Sequence, residues 1–411
     1  MSKSNPAVVL GLNPNGLGIV KSLRAVKIPV IGVDHVPGGV NDTRRWMSSR
    51  TRLCRKVFYR EEGSAGLLKC LIALGKTLDG KGVLFPSGDT QLLCVSEHRD
   101  ELAPYYHFRV PDADAVAVLY SKARFNEFAV RNNIAHPATL MGKTPDDVLS
   151  LARDMTYPCL IKPYLREQNW AAHFGARKVF TAANADELTA TYQRIFEKHH
   201  DLIIQEIVGG PDSNLYFSHV YMSSDLNPLA IWTGRKIRQL PIHFGTSTLA
   251  ETVWVDEVAD TSVKMLQKLR CPGYSSIEFK KDPSTGAYKV IEVTAGRTWY
   301  PHYLGVAAGV NIPEVWYRDL LGIKQGAAAR AKDRVRWIDE YRDLFAVCAY
   351  RKSGELSFTE WLGSYRKIKG YALASFRDPL PIFLVAVRLA LGVPDAVLRR
   401  FRKPRKVIET D

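Results

Sequence analysis

The sequence predicts an α/β and α+β protein with more than one core, and three observations predict it. The first hundred residues alternate strand-like and helix-like patterns. From about Val116 onward helix signals and strand runs mix without that alternation. After Gly322 a Gln/Gly/Ala-rich stretch, Lys324 to Ala331, precedes an aromatic and basic segment that reaches Asp411. A doubly wound parallel sheet, a longer α+β region and a C-terminal extension are therefore expected, divided as 1–115, 116–325 and 326–411. At roughly 100 to 200 residues per domain, a chain of 411 residues has room for two or three cores.

The first unit begins with Ala7 to Leu10 as a strand, a Gly/Asn loop, an amphipathic helix to Ala25 and a second strand from Val30 to Val33 ending at Asp34. A further strand, Gly82 to Phe85, runs into Pro86-Ser-Gly-Asp89 and a helix through Arg99. Loops of such a sheet open at the carboxyl ends of its strands, where ligands sit. The loop Gly11-Leu-Asn-Pro-Asn-Gly16-Leu-Gly18 lacks the G-x-G-x-x-G spacing of a dinucleotide site, so its glycines are read as a tight strand-to-helix turn, with the helix N-terminus aimed at a small anionic substrate. In the second region helices are expected at Lys122 to Asn132, Thr144 to Asp154 and Ala185 to His199. Strands are expected at Cys159 to Lys162, Leu202 to Glu206, Tyr216 to Met222, Leu229 to Ile237, Tyr274 to Lys280 and Ala287 to Thr294.

Composition narrows the class. With 46% hydrophobic and 24% charged residues, the chain as a whole is not disordered, collagenous or coiled coil. A formal charge of +15 points to an anionic partner. Six cysteines without a C-x-x-C pair indicate neither a zinc site nor a disulfide framework. The polar start and the short apolar run after it are unlike a signal peptide, so a cytoplasmic protein is expected. Pro379 to Pro394 is too short to span a bilayer and carries Arg388 in its middle.

The sharpest chemical signal is a pair of alternating runs, Ser276-Ile-Glu278-Phe-Lys280 and Lys289-Val-Ile-Glu292-Val293, joined by a turn whose symmetric centre falls at Thr285. A hairpin closed there sets Glu278 opposite Glu292. Opposed like charges destabilise a sheet unless a cation lies between them, and oxygen ligands suit Mg²⁺. For a hairpin standing alone, two solvated glutamates are the other reading. Lys162 closes an apolar strand and Lys122 opens a helix, positions where phosphate oxygens are met. The run Leu202-Ile-Ile-Gln205-Glu206-Ile-Val208-Gly-Gly210 ends a buried strand in a glycine turn whose backbone groups suit an adenine edge.

In order, Lys122, Lys162, the Gln205 to Val208 hinge, the basic strand Thr233-Gly-Arg235-Lys236-Ile-Arg238, Glu278 and Glu292-Val-Thr-Ala-Gly-Arg297 resemble the ATP-grasp superfamily of carboxylate-amine ligases. The resemblance covers roughly residues 7 to 325 and is nearest to D-aspartate ligase-like and exopolysaccharide-associated members, whose C-terminal extensions are similar to Glu355-Leu-Ser-Phe-Thr-Glu-Trp361 and Asp378-Pro-Leu-Pro381. It implies a Rossmann-like pre-ATP-grasp domain, a two-lobed ATP-grasp domain and a basic helical extension. It also implies roles. Lys122 and Lys162 would contact the α- and β-phosphates of ATP. Gln205 belongs to the nucleotide hinge, Glu206 and Val208 would hold adenine through backbone groups, and Asp212 would meet the ribose. Lys236 and Arg238 would lie along the triphosphate, and Arg297 would steady the transferred phosphate. Glu278, Glu292 and Thr294 would hold one or two Mg²⁺ ions, with Mn²⁺ as a substitute. Tyr164 to Gly175 would be the loop that closes over the phosphates. The family pattern Glu-x-Asn-x-Arg is altered here to Glu292-Val-Thr294-Ala-Gly-Arg297, with a residue added.

The implied reaction is amide or peptide bond formation between a small carboxylate and an amine, through an acyl-phosphate, with release of ADP and phosphate; its expected setting is cell-envelope or polysaccharide synthesis. The alternative is a catalytically silent ATP-binding regulatory or scaffold protein, and a nicotinamide-dependent oxidoreductase is a third class. His302, after Arg297, is read as orienting a substrate or accepting the amine's proton, or else as a core or hydrogen-bonded histidine; His243 has the same standing. From Ala331 onward Lys and Arg number 17 against 10 Asp and Glu. Much of that excess is the run Arg399 to Lys406 after an apolar helix, Ile382 to Leu391. Peripheral attachment to an anionic inner membrane face is one reading, and a core-packed helix with a solvated tail is the other. Nucleic acid is not expected as a partner, since the basic run lacks interleaved aromatics. A homodimer is implied by the resemblance.

Overall fold

A computed structural model describes residues 5–35, 43–59, 61, 63–142, 144–163, 170, 173, 174, 179–324, 326 and 329–391. Most of the expected closing loop, three residues of the Lys324 to Ala331 stretch and the run Arg399 to Lys406 lie outside the described residues.

In chain order the elements begin β1 (Ala7–Leu10), α1 (Pro14–Ala25), β2 (Val30–His35), α2 (Thr43–Ser48), β3 (Arg55–Tyr59), α3 (Gly63–Gly75), β4 (Gly82–Pro86), α4 (Asp89–Glu97), α5 (Arg99–Leu102) and β5 (Tyr106–His107). There follow α6 (Ala113–Tyr120), α7 (Lys122–Arg131), β6 (Thr139–Leu140), α8 (Pro145–Asp154), β7 (Cys159–Pro163), β8 (Phe180–Ala182), α9 (Ala185–Phe196) and β9 (Leu202–Glu206). Next come β10 (Leu215–Met222), β11 (Pro228–Leu240), β12 (Thr246–Thr252), α10 (Asp256–Lys268), β13 (Gly273–Lys281) and β14 (Tyr288–Ala295). The last are α11 (Tyr303–Ala307), α12 (Ile312–Leu320), β15 (Arg336–Ile338), α13 (Glu340–Lys352), α14 (Phe358–Ser364), β16 (Ile368–Tyr371) and α15 (Leu380–Leu391).

Two compact units share these elements: Met1–Asp112 with Phe217–Ser276 and Thr294–Asp411, and Ala113–Tyr216 with Ile277–Val293. The chain passes from one to the other inside β10, β13 and β14, so three consecutive segments do not describe it. Long strands allow this, because one strand can supply residues to two cores.

In the first unit a parallel sheet has the order β3-β2-β1-β4-β5. β1 is wholly buried, as an apolar strand flanked by parallel neighbours on both sides must be. The order reverses direction at β1, which makes the carboxyl ends of β1 and β4 the switch point where ligands bind in such sheets. Both ends turn directly into helices. Asn13 caps α1 by accepting the Gly16 N–H, and Pro14 supplies a first turn that needs no donor. Gly16 must be glycine, since a Cβ there would lie 1.8 Å from the Gly11 carbonyl oxygen. The expected helix through Arg99 is two helices, α4 and α5, divided at His98.

A seven-stranded sheet has the order β14-β13-β10-β11-β12-β15-β16. β15 pairs antiparallel with β12 and parallel with β16, so the C-terminal segment is not a purely helical appendage; it completes this sheet. Trp232, Trp316 and Trp337 sit in its fully buried core. The second unit holds an antiparallel sheet of order β6-β9-β7-β8, covered by α8 and α9 through Val148, Leu188, Tyr192 and Ile195. α8 starts on a capping box between Thr144 and Asp147.

Candidate functional site

The second unit gathers the residues expected to hold a nucleotide. Ser121 caps α7 and so fixes Lys122 at its first turn, where Nζ donates to the Pro163 carbonyl at 2.8 Å. Lys162 leaves the end of β7 and donates to Gln205 Oε1 at 2.6 Å. Gln205 is itself held, donating to Thr139 Oγ1 at 2.8 Å. Lys122 and Lys162 therefore meet at one end of β7, with Gln205 bound to the second of them.

The hinge after β9 is oriented at both ends. The Glu206 N–H donates to Ala138 O at 2.9 Å and the Ile207 N–H to Pro158 O at 3.1 Å. The Glu206 carboxylate accepts the Ala138 N–H at 3.0 Å and the Lys289 ammonium at 2.7 Å. Val208 is 8% exposed. Among the described residues its N–H meets no hydrogen-bond partner, and the Glu206 carbonyl closes β9 two residues before it. A buried amide left open is costly, so this pair, an acceptor and a donor two residues apart, has the form of a ligand edge. Asp212 is buried at the start of the short helical turn Asp212–Asn214.

Glu278 and Glu292 stand half-buried on neighbouring strands, β13 and β14. The tip of the hairpin pairs the Asp282 N–H with Ala287 O at 2.9 Å, and Gly286 turns through φ +76. At the far end the Gly296 N–H reaches Tyr274 O at 2.7 Å. The far end fits a centre at Thr285 and the tip is one residue off, so the ladder takes up one residue between them. Among the described residues no three His, Cys, Asp or Glu gather around one point. Two carboxylates are the usual protein share of a Mg²⁺ shell, which is completed by water and phosphate oxygens.

The first unit carries Thr294, Arg297, Lys236 and Arg238. Thr294 is buried. Arg297 is nearly buried and pairs with the carboxylate of Asp89, the first residue of α4, while Nη1 donates to Thr298 O at 3.2 Å. Lys236 donates to Gln239 Oε1 at 3.0 Å and Gly245 O at 3.2 Å, with the Trp299 ring 5.7 Å away.

Arg238 corrects an expectation. Its guanidinium is bidentate on Asp343, at 3.0 and 2.6 Å, and donates to Ser364 at 2.8 Å; the two paired side chains are 2% and 1% exposed. It lies inside a protein network and not along a triphosphate. The physical reason is local: the β11–β12 ladder shifts register between Lys236 and Arg238 and again before Gln239, so simple alternation fails there.

Other candidates fall in place as structure. His302 is buried, its Nε2 lies 3.0 Å from Asn15 O, and burial pushes its pKa down to about 4. It is the hydrogen-bonded core histidine. His243 is an exposed neighbour of Glu355, at 3.3 Å. Asp34, which a nicotinamide ribose would need, is buried in a pair with Arg45. Of the expected closing loop, Trp170 and Phe174 pack together at 4.6 Å and face Phe180.

No protein-family model matches the chain. It is 24% identical over 221 residues to the D-aspartate ligase of Enterococcus faecium, which is 52% of each protein. It is 26% identical over 180 residues to the carbamoyl phosphate synthase large chain of Methanothermobacter thermautotrophicus, or 41% of this chain and 16% of that one. The chain thus spans about half the length of the first relative and less of the second. Among solved structures, N5-carboxyaminoimidazole synthetase from Staphylococcus aureus aligns with a TM-score of 0.63 at 11% identity, covering 90% of this chain and 92% of that one. Biotin carboxylase from Campylobacter jejuni, solved as a βγ-ATP complex, gives 0.60 at 14% identity, covering 82% and 75%. The chain has the ATP-grasp fold.

The chain also holds two lysines for which the sequence suggested no role. Lys280, 7% exposed, donates to Gly210 O at 2.9 Å and Pro211 O at 2.7 Å and so shapes the turn after the hinge. Lys289 joins Glu206, at 2.7 Å, to Asp282, at 3.1 Å. Burial works against its ammonium, but the two carboxylates outweigh that and raise its pKa. Asp282 is held well below the usual carboxylate range by Ser284 and Lys289. The only sequence signal for either lysine was its place in an alternating strand.

Proposed function

We propose that this chain is an ATP- and Mg²⁺-dependent carboxylate-amine ligase that joins a small carboxylate to an amine through an acyl-phosphate, releasing ADP and phosphate. One observation supports it most: the hinge that carries the open Val208 amide directly follows Gln205, which Lys162 holds, while Lys122 stands against Pro163, the last residue of β7. The adenine edge offers an amino donor and a ring-nitrogen acceptor, which are the complements of the Glu206 carbonyl and the Val208 amide. Asp212 would meet the ribose. Glu278 and Glu292, with the Thr294 hydroxyl, would hold one or two ions, and Mn²⁺ would substitute. When bound, the metal neutralises charge spread over the transferring phosphoryl oxygens.

The chain's own residues supply the rest. Lys122 and Lys162 orient phosphates and Arg297 steadies the transferred phosphoryl group, whereas Lys236, 1% exposed and held by Gln239 and Gly245, is closed in as Arg238 is. The carboxylate substrate would sit at the loops that end β1 and β4, where two helices begin. Amine attack on the acyl-phosphate needs positioning and exclusion of water more than a dedicated base, because hydrolysis is the competing fate. The D-aspartate ligase match motivates an amino acid as one substrate and the cell envelope as the setting. The second reading, a silent ATP-binding scaffold, draws on the withdrawal of Arg238 into its pair with Asp343.

ADP release from Mg·ATP with a mixed pool of amino acids and uronic acids, comparing wild type with Glu292→Gln, tests the proposal. ADP that requires both the pool and Glu292 is expected. Tight Mg·ATP binding by calorimetry with no pool-dependent ADP would favour the scaffold instead.

A further inference from the structure

The turn Phe85-Pro-Ser-Gly-Asp89 carries a charge that the proposed reaction leaves unused. It closes β4 at the switch point of the parallel sheet and makes Asp89 the first residue of α4, beside the loop that ends β1. The two loops are locked together. Ser87 Oγ lies 2.7 Å from Leu10 O and 3.0 Å from Gly11 O, and the Asn15 amide donates to Ser87 O at 3.4 Å. A Cβ on Gly11 would lie 2.7 Å from Ser87 Oγ, and one on Gly88 would lie 2.6 Å from Gln91 Oε1. Asp89 therefore stands on a fixed base, and the amino end of α4 favours a negative charge there.

Its partner is Arg297, which is nearly buried, while the Asp89 carboxylate is 37% exposed. A carboxylate substrate that reaches Arg297 displaces Asp89 and then lies close to it. Water can solvate the released Asp89, but two carboxylates at such short range still repel each other. A ligand that carries its own cation removes the conflict and leaves the net charge of the place unchanged. In a short amino acid the two charged groups are held on the same or neighbouring carbons, which is the scale of a pair whose side chains touch. A uronic acid brings no cation for Asp89.

We propose that Asp89 receives the ammonium of the carboxylate substrate, which is therefore a short amino acid whose two charges exchange into the Arg297–Asp89 pair. The inference rests on the ligase reading and adds the substrate class to it. Arg297 takes the carboxylate of any acid, and Asp89 selects the acid that carries a cation. An N-acylated amino acid, which has lost that cation, is refused like a hydroxy acid.

ADP release from Mg·ATP tests it, with hydroxylamine as the amine in every reaction and a pool of D- and L-amino acids, the matching 2-hydroxy acids or uronic acids as the carboxylate. The amino acids are expected to react, and the hydroxy and uronic acids at least about tenfold more slowly. Asp89→Asn should lower kcat/KM for the amino acids about tenfold and change the hydroxy acids little, so that the preference collapses. An Asp89 that only holds Arg297 in place would slow both pools alike. Equal use of the hydroxy acids by the wild type, or equal slowing of both pools by Asp89→Asn, would overturn the inference and leave the ligase reading standing. No ADP with any carboxylate would sink the ligase reading instead, and binding then decides the inference. The amino-acid pool should raise the melting temperature of the full chain more than the hydroxy-acid pool does, an excess that Asp89→Asn removes; equal shifts would overturn it.

Discussion

Two arginines of the first unit, each paired with an aspartate, contrast the buried interior of the seven-stranded sheet with the rim of the parallel sheet. Arg238 and Asp343 are 2% and 1% exposed, and Ser364 completes the set. Arg297 is 9% exposed, but its partner Asp89 is 37% exposed. The residue types are the same; the interior pair is bidentate and the rim pair rests on one nitrogen, and water reaches only the rim pair. A carboxylate that water reaches can release its arginine to an incoming anion at small cost. One sealed in a core cannot, since breaking such a pair strands a charge in low dielectric. A cation of the right type in the right order is therefore a ligand group only where its partner can be exchanged.

The interior pair should give the largest effect. Arg238→Met or Asp343→Ala alone is expected to cost about 3 to 5 kcal/mol in urea unfolding, because each leaves the other charge buried. Arg238→Met combined with Asp343→Leu should recover most of that loss. If Arg238→Met folded with unchanged stability and lost turnover, the contrast would break and Arg238 would return to the phosphates.

The rim pair should do the reverse. Arg297→Gln is expected to lower kcat about 10² to 10³-fold, on the order of 2.7 to 4 kcal/mol of transition-state stabilisation, with a small change in melting temperature. A stability loss as large as that of Arg238→Met would place Arg297 with the structural arginines.

What the sequence made legible follows the same line between local and distant causes. The β1 loop, the hinge after Glu206 and the β13–β14 hairpin are written in neighbouring residues: a glycine turn, an apolar run ending in Gly209-Gly210, alternation about Asp282 to Gly286. Those readings needed no knowledge of the fold. Arg238 meets Asp343 across 105 positions and Lys289 meets Glu206 across 83, so no local pattern announces either pair. The C-terminal strands β15 and β16 were missed for a related reason. They are short, three and four residues, and exist because β12 offers an edge to β15 and β15 offers one to β16.

His302 adds a titration in a buried place. His302 Nε2 sits 3.0 Å from Asn15 O, while Nδ1 is buried with no partner among the described residues. Protonation would force a donor into a place without an acceptor, consistent with a pKa lowered by burial from 6.5 to about 4. A depressed folded value means the contribution is present above pH 6.5 and is lost as pH falls towards 4. Comparing unfolding free energies of wild type and His302→Gln over that range should show an extra wild-type loss of up to about 3 kcal/mol. Parallel curves would mean the imidazole finds an acceptor when charged.

Lys289 sharpens the contrast on the smallest scale, because its two carboxylates lie between the extremes. Glu206 and Asp282 are 13% and 9% exposed, and the lysine itself is 18% exposed. Neither sealed nor open, the tether should set position more than stability. Its ammonium fixes the Glu206 carboxylate, which also holds the Ala138 amide at 3.0 Å, so the hinge peptide groups proposed to meet an adenine depend on it. Lys289→Met should raise KM for ATP about five- to tenfold, roughly 1 to 1.4 kcal/mol, with kcat within about twofold. Lys289→Arg, which keeps the charge, should restore KM. A fall in kcat at constant KM would assign the tether to the hairpin that carries Glu278 and Glu292 and not to the hinge.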